Sequence, residues 1–476
     1  MRRFLFITIF ISHHSFSFSQ KIIGNWSGNI SAGENKIPLV FHFYTDDSSK
    51  LSGKWDSPSQ NANNLACGDI TIADDSVIVG LPIISGSYKG KFVTNDSIAG
   101  TWNQRGFQTA LNLSRMNGTQ VFQPPKRPQT PKPPFNYVSE NVIYKNADST
   151  IQYGATFTKP FSKRDKKFPA VLLITGSGKQ DRDETIFDHK PFAVIADYLT
   201  KNGISVLRVD DRGMGQTTGD FDTSSSEDFA NDVKTGIQYL LSRNDVDAKH
   251  IGLIGHSEGG MIAPMVAAKD KNVSFIVLLA GTGVPGSVIN DFQNSVVLKN
   301  AGIADSVIQK YLQLHHALLH AVISSPDASG FKSKVPDIYA NWKISQSKET
   351  RDALIHGTDD QMIEDIEKKY FVFHTKWWKF FLVHDPASDL EQLSIPVLAL
   401  NGSKDVQVDP QTNLSAIEAA LKKSKSKNYK TIELPGLNHL FQPCIKCTID
   451  EYAELEETIS PEVLRTISEW INGVIK

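Results

Sequence analysis

The stretch Ile251-Gly252-Leu253-Ile254-Gly255-His256-Ser257-Glu258-Gly259-Gly260-Met261-Ile262-Ala263-Pro264-Met265-Val266-Ala267-Ala268-Lys269 decides how the rest of the chain is read. Residues 251–254 form an apolar run that reads as a buried strand, and the residues after Gly259 are compatible with a helix. Between them stands Gly-His-Ser-Glu-Gly, the pattern G-x-S-x-G, in the strand–turn–helix setting that lifts a serine clear of a sheet. A serine on so sharp a turn has strained backbone angles, and flanking glycines remove the Cβ atoms that would clash. Its hydroxyl then sits above a helix N-terminus, where the amide of Glu258 can help hold an oxyanion.

A serine hydroxyl is a weak nucleophile until an imidazole takes its proton, and the imidazole needs a carboxylate to fix its tautomer. Both partners follow in the order Ser, Asp, His. The strand-like run 395–401 turns through Gly402-Ser403-Lys404 into Asp405, and the run 431–434 leads into Pro435-Gly436-Leu437-Asn438-His439. Each group lies at the C-terminal end of a predicted strand, the edge of an open parallel sheet where ligands gather. Asp409 precedes Pro410 and reads as the N-cap of a helix, and His256 reads as packing or loop support. Asp405 as an ordinary turn residue, and His439 as a surface histidine among the chain's 13, are the plainer alternatives.

A second oxyanion donor is expected after the run 170–174, in Thr175-Gly176-Ser177-Gly178, where glycine lets backbone approach a substrate closely. The amide of Ser177 is the expected donor and that of Gly178 the alternative; a tight turn without a ligand is the plain reading. Gly-Ser-Gly-Lys lacks the spacing of a phosphate loop.

Five motifs now stand in order: Gly176-Ser177-Gly178-Lys179-Gln180-Asp181-Arg182, Asp210-Asp211-Arg212-Gly213-Met214-Gly215, Gly255-His256-Ser257-Glu258-Gly259, Asn401-Gly402-Ser403-Lys404-Asp405 and Leu434-Pro435-Gly436-Leu437-Asn438-His439. With them residues 137–476 resemble bacterial serine esterases of the α/β-hydrolase superfamily, near the dienelactone-hydrolase and prolyl-oligopeptidase-like branch. The resemblance implies an α/β-hydrolase fold, Ser257, Asp405 and His439 as catalytic residues, and oxyanion donors at Ser177 and Glu258. It implies neither metal nor cofactor. One departure is Thr175-Gly176, where many relatives carry His-Gly.

The rest of the chain frames this region. Lys and Arg number 50 against 52 Asp and Glu, a net charge of -2, so no basic face is offered to nucleic acid. Arg2 and Arg3 before the apolar residues 4–11, with Ser17 and Ser19 near a cleavage point, read as a signal peptide over 1–19. That stretch is too short to span a bilayer, and no later segment reads as a transmembrane helix. The expectation is an exported protein, periplasmic or extracellular. In such a compartment Cys444 and Cys447 are suited to a local disulfide beside the histidine loop, with a reduced pair as the alternative.

Residues 20–120 read as a small all-β domain, a lipocalin-like barrel or a sandwich. Its Gly24-Asn25-Trp26, Gly53-Lys54-Trp55 and Gly100-Thr101-Trp102 units place tryptophans in a core. A Pro-rich linker follows over 121–136 and favours an extended form. Within the hydrolase region a helical cap is expected at about 284–390. Its run Trp377-Trp378-Lys379-Phe380-Phe381 reads mainly as cap core, and His315, His316 and His320 lack carboxylates at metal-binding offsets.

The expected activity is cleavage of small-molecule or glycan carboxylic esters. A prolyl-oligopeptidase-like peptidase, a carbohydrate acetyl esterase and a catalytically silent lipid- or glycan-binding protein share the same residues.

Overall fold

The computed structural model describes residues 21–32, 35–46, 49–57, 62–104, 107–116, 126–162 and 166–476. The signal-peptide reading of 1–19 lies outside them, as do residues 121–125 of the linker and 117–120 at the end of the all-β domain. The chain forms two compact units, one running to Lys126 and including Asp450–Glu456, the other comprising Arg127–Ile449 and Glu457–Lys476.

In the first unit, short runs of alternating polar and apolar residues form β1 (Gly24–Ala32), β2 (Asn35–Thr45), β3 (Leu51–Ser57), β4 (Ala62–Ala66), β5 (Ile70–Ala73), β6 (Ser76–Leu81), β7 (Gly86–Phe92), β8 (Ser97–Gln104), β9 (Phe107–Ala110) and β10 (Leu113–Arg115). They pair antiparallel in the order β4-β3-β2-β1-β10-β8-β7-β6-β5, with β9 on β8. The sheet curls: Cys67 N–H donates to Gly53 O on β3 and Gly68 N–H to Gly80 O on β6, each at 2.9 Å, so one segment joins both ends. Inside lie Trp26, Phe41, Phe43, Trp55, Tyr88 and Trp102. All three glycine-linked tryptophans are therefore core residues, and Trp55 meets Trp102 edge-on at 5.5 Å.

The second unit is built on β11 (Tyr137–Lys145), β12 (Gln152–Pro160), β13 (Phe168–Ile174), β14 (Ser205–Val209), β15 (Val246–His256), β16 (Val273–Leu279), β17 (Val397–Gly402) and β18 (Tyr429–Leu434). Their order is β11-β12-β14-β13-β15-β16-β17-β18. β12 is antiparallel to both of its neighbours, and β13 to β18 run parallel. This is the α/β-hydrolase arrangement. Of the parallel strands, β13, β16, β17 and the second half of β15 are covered on both faces and so read as nearly continuous apolar runs, whereas the edge strand β18 stays partly exposed. Ala170, Leu172 and Ile174 face helices Ser226–Ser242, Glu258–Ala267 and Pro410–Lys423. Val171 and Leu173 face Pro191–Lys201 and Pro461–Val474. Local chemistry starts these helices: Pro191, Pro410 and Pro461 stand at their first turns, and Ser225 with Asp228 forms a capping box.

Between β16 and β17 the chain forms a run of helices from Gly286–Asn300 to Ala387–Leu390, the cap. Helix Asp305–Ser324 buries Val307, Ile308, Leu314, Leu318, Leu319 and Val322 at helical spacing. His315 on that face is fully buried, with Nδ1 on the Tyr370 hydroxyl, and burial pushes it down to about 4, a neutral ring. Asp291, on helix Gly286–Asn300, supplies the carboxylate that helical offsets did not offer, bonding His316 Nε2 at 2.6 Å.

The described part of the Pro-rich stretch is fastened down. Arg127 donates to Phe187 O at 2.8 Å, and the Gln129 side chain accepts from Thr458 N–H at 2.6 Å while donating to Ile459 O at 2.8 Å. Among the described residues no helix is long and apolar enough to cross a membrane.

Candidate active site

β15 ends at His256 and the next helix begins at Glu258, leaving Ser257 alone on the turn at φ 53°, ψ −115°. That left-handed backbone is strained for a residue with a Cβ and persists only where its surroundings enforce it. The turn around it closes so tightly that only glycine fits on either side. A Cβ on Gly255 would lie 2.0 Å from Gly259 O, and one on Gly259 would lie 2.2 Å from Ile174 O. Ser257 N–H donates to Leu279 O at 2.8 Å, fixing the turn to β16.

Asp405 follows β17. Its Oδ1 accepts from the amides of Gln407 at 2.8 Å and Val408 at 2.9 Å, and its Oδ2 faces His439 Nδ1 at 2.7 Å. Both side chains are buried. A carboxylate on Nδ1 holds the hydrogen there and leaves Nε2 as the basic nitrogen. The loops carrying the pair are tied together: Lys404 N–H donates to Leu437 O and Gly436 N–H to Ser403 Oγ, each at 2.9 Å. Asp409 caps helix Pro410–Lys423 through Thr412 N–H at 2.8 Å.

The structure therefore joins Asp405 to His439 directly and brings Ser257 to them through a neighbour. The His439 ring stands 4.8 Å, centre to centre, from the ring of His256. Among the described residues no hydrogen bond links the Ser257 hydroxyl to His439. Such bonds often tighten only once substrate is bound.

The loop after β13 abuts the serine: a Cβ on Gly176 would lie 3.3 Å from Ser257 Cβ. Gly176 N–H is engaged by Glu184 Oε1 at 2.7 Å. Ser177 and Gly178 come next, and the amide of Glu258 opens its helix, where first-turn donors have no intrahelical partner. Asp211 holds the loop from its other side, accepting from Thr175 Oγ1 at 2.8 Å and Gln180 N–H at 2.7 Å. Asp210 accepts from Arg182 N–H at 2.9 Å. The threonine at the departure from His-Gly thus has a definite role.

A cavity of about 50 Å³ is lined by Thr175, Gly176, Asp211, Phe221, Glu258 and Ile262, among others. Burial pushes Asp211 up to about 7. Burial does the same to Glu258, also to about 7, against the lowering effect of bonds from Ser226 Oγ at 2.6 Å and from Trp377 Nε1 of the cap at 2.7 Å. Trp377 is therefore more than cap core, since it ties the cap to the residue after the serine.

The Glu258 shift has a definite sign. The folded chain keeps this proton up to about pH 7, whereas the unfolded chain releases it near the ordinary 4.5. Its stabilising contribution is complete below pH 4.5 and is lost as pH rises through 7. Glu258→Gln keeps an acceptor for both bonds and cannot ionise. Its unfolding free energy is expected to exceed that of the parent by roughly 1–3 kcal/mol at alkaline pH, with the gain shrinking towards pH 5. Urea denaturation at the two pH values checks this, and an equal gain at both would contradict it.

Sequence reasoning gave no role to Glu184 or Asp211 and only loop support to His256. Asp211 stands in the motif run 210–215 and His256 in 255–259, which located them without saying what they hold, whereas Glu184 lies just past the run 176–182 and carried no signal of its own.

Cys444 and Cys447 form a disulfide.

Residues 189–442 match the family model described as serine aminopeptidase, S33. Among curated proteins the chain is similar to esterase EstD of Thermotoga maritima, 26% identical over 57% of this chain and 54% of that protein. It is also similar to the bifunctional esterase/perhydrolase DCH of Acinetobacter calcoaceticus, 24% identical over 51% of this chain and 77% of that protein. The chain thus spans about half the length of EstD, 54%. Among solved structures, Est1E from Butyrivibrio proteoclasticus with ferulic acid bound is 15% identical, covering 70% of this chain and 99% of its own, at a TM-score of 0.38.

Proposed function

Since the chain belongs to the serine aminopeptidase S33 family of α/β-hydrolases, we propose that it cleaves carboxylic esters through an acyl-enzyme formed on Ser257. One observation carries this reading. The buried Asp405–His439 pair, bonded at 2.7 Å, lies beside the residue that precedes a serine held at φ 53°.

In this scheme Ser257 Oγ attacks the ester carbonyl carbon as its proton passes to His439 Nε2. The oxyanion of the tetrahedral intermediate is held by the amides of Ser177 and Glu258. Removing one such donor typically lowers turnover by about 10²–10³-fold. The C–O bond to the alcohol then breaks, with His439 giving its proton to the leaving oxygen. Water attacks the acyl-enzyme, again losing a proton to His439, and the acid departs as Ser257 regains its hydrogen. Asp405 keeps Nδ1 protonated throughout and stabilises the imidazolium. Every proton is accounted for by groups of this chain.

Two similar proteins are named as esterases, which supports ester over peptide cleavage. Arg2, Arg3 and the apolar residues 4–11 support export, so the enzyme is proposed to meet its substrates outside the cytoplasm. The family description keeps an aminopeptidase as the second reading. Turnover of an aryl acetate against an aminoacyl anilide separates the two. The ester reading expects the acetate to be favoured by at least tenfold in kcat/KM, and faster anilide cleavage would overturn it.

A further inference from the structure

Glu184 and His256 are charged or titratable residues that the reaction scheme leaves without a task, yet they are 4% and 8% exposed. They form a continuous link. Glu184 Oε1 accepts from Gly176 N–H at 2.7 Å and from His256 Nδ1 at 2.9 Å, and His256 Nε2 donates to His439 O at 3.1 Å. A carbonyl oxygen only accepts, so Nε2 carries a hydrogen. Nδ1 faces the Glu184 carboxylate, which only accepts when ionised, so both ring nitrogens are placed to donate. Burial works against a charged His256, and the Glu184 carboxylate outweighs it, holding the imidazole above its ordinary range.

The surroundings make this link stiff. Phe192, Ile195, Leu279 and Phe441 line, with both residues, a gap of only about 10 Å³. In so apolar a setting a satisfied polar pair is strong and an unpaired member is expensive. Glu184 also sits at φ 53°, a left-handed conformation that an ordinary residue keeps only under constraint. One end of the link is the amide just before the oxyanion donor Ser177. The other is the main chain of the general base.

We propose that Glu184 and His256 form a buried clamp fixing the spacing between the oxyanion loop and the histidine loop, and so act as positioning residues; this rests on the ester-hydrolase reading above. An oxyanion donor displaced by 1 Å relative to the base is enough to lower turnover about 10²-fold. Neither residue touches the ester, so the effect falls on kcat and spares KM.

The test uses the full chain with an aryl acetate, and turnover is expressed per site titrated with a fluorophosphonate. Glu184→Gln and His256→Gln are each expected to lower kcat per titrated site about 30-fold with KM within about threefold. The double variant is expected to lose no more than the worse single one, because each change breaks the same link. Should a single variant fail to fold, the double variant, which buries no charge, is measured alone against the same expectation. Parental kcat per titrated site would overturn the clamp, as would losses that multiply in the double variant or a loss confined to KM. If the parent protein takes up no fluorophosphonate, the ester-hydrolase reading fails, which is a different result from parental kcat in labelled variants.

Discussion

Ser257→Ala is expected to lower kcat for an aryl acetate by roughly 10⁴–10⁶-fold, leaving KM near the parental value and the fold intact. No other group stands where Ser257 does. The turn is built around it, at a strained φ of 53°, with Gly255 packed on Gly259 and Gly259 on β13 too closely for any Cβ. Alanine keeps the Cβ and loses only Oγ, so the packing is undisturbed and the loss reports chemistry alone. Hydrolysis at more than a hundredth of the parental rate would remove Ser257 from its role.

Asp405→Asn is expected to lower kcat by about 10⁴-fold, and the reason lies in which oxygen is already committed. Oδ1 accepts from two backbone amides, those of Gln407 and Val408. In the variant the carbonyl oxygen must stay on that side, because an NH2 there would face two N–H groups. The NH2 is then turned towards His439 Nδ1, where Oδ2 now lies at 2.7 Å. It donates to Nδ1, and the ring hydrogen moves to Nε2, the nitrogen that must accept the serine proton. Steady-state kinetics check the size of the loss. Asp405→Glu, which keeps an acceptor on a longer side chain, is expected to retain more activity than the amide variant; the reverse order would contradict the tautomer argument.

The features legible in the sequence were those whose chemistry is local or repeated. Gly255 and Gly259 announce the turn because no other residue fits there. The catalytic candidates follow because each one ends a strand of a parallel sheet, and the apolar runs of β13, β15, β16 and β17 are strands covered on both faces. Contacts between distant parts of the chain were not legible. Glu184 lies 72 residues from His256, and nothing around either one names the other. Asp291 reaches His316 from a different helix, which a search along one helix cannot find. The proline-rich stretch reads as an extended strap by composition, but Gln129 is bonded to Ile459, 330 residues away. Whether the β domain curls shut or splits into two sheets depends on the Cys67–Gly53 and Gly68–Gly80 backbone bonds, which side-chain patterning does not reveal.

The central claim is that Ser257 is a nucleophile activated by the Asp405–His439 pair. Peptide-level mass spectrometry after treatment with a fluorophosphonate tests it most directly, because only an activated serine reacts. The account predicts one adduct per chain, on Ser257, with labelling slowed strongly in His439→Ala. No adduct, an adduct on another serine, or labelling as fast in His439→Ala as in the parent would contradict it.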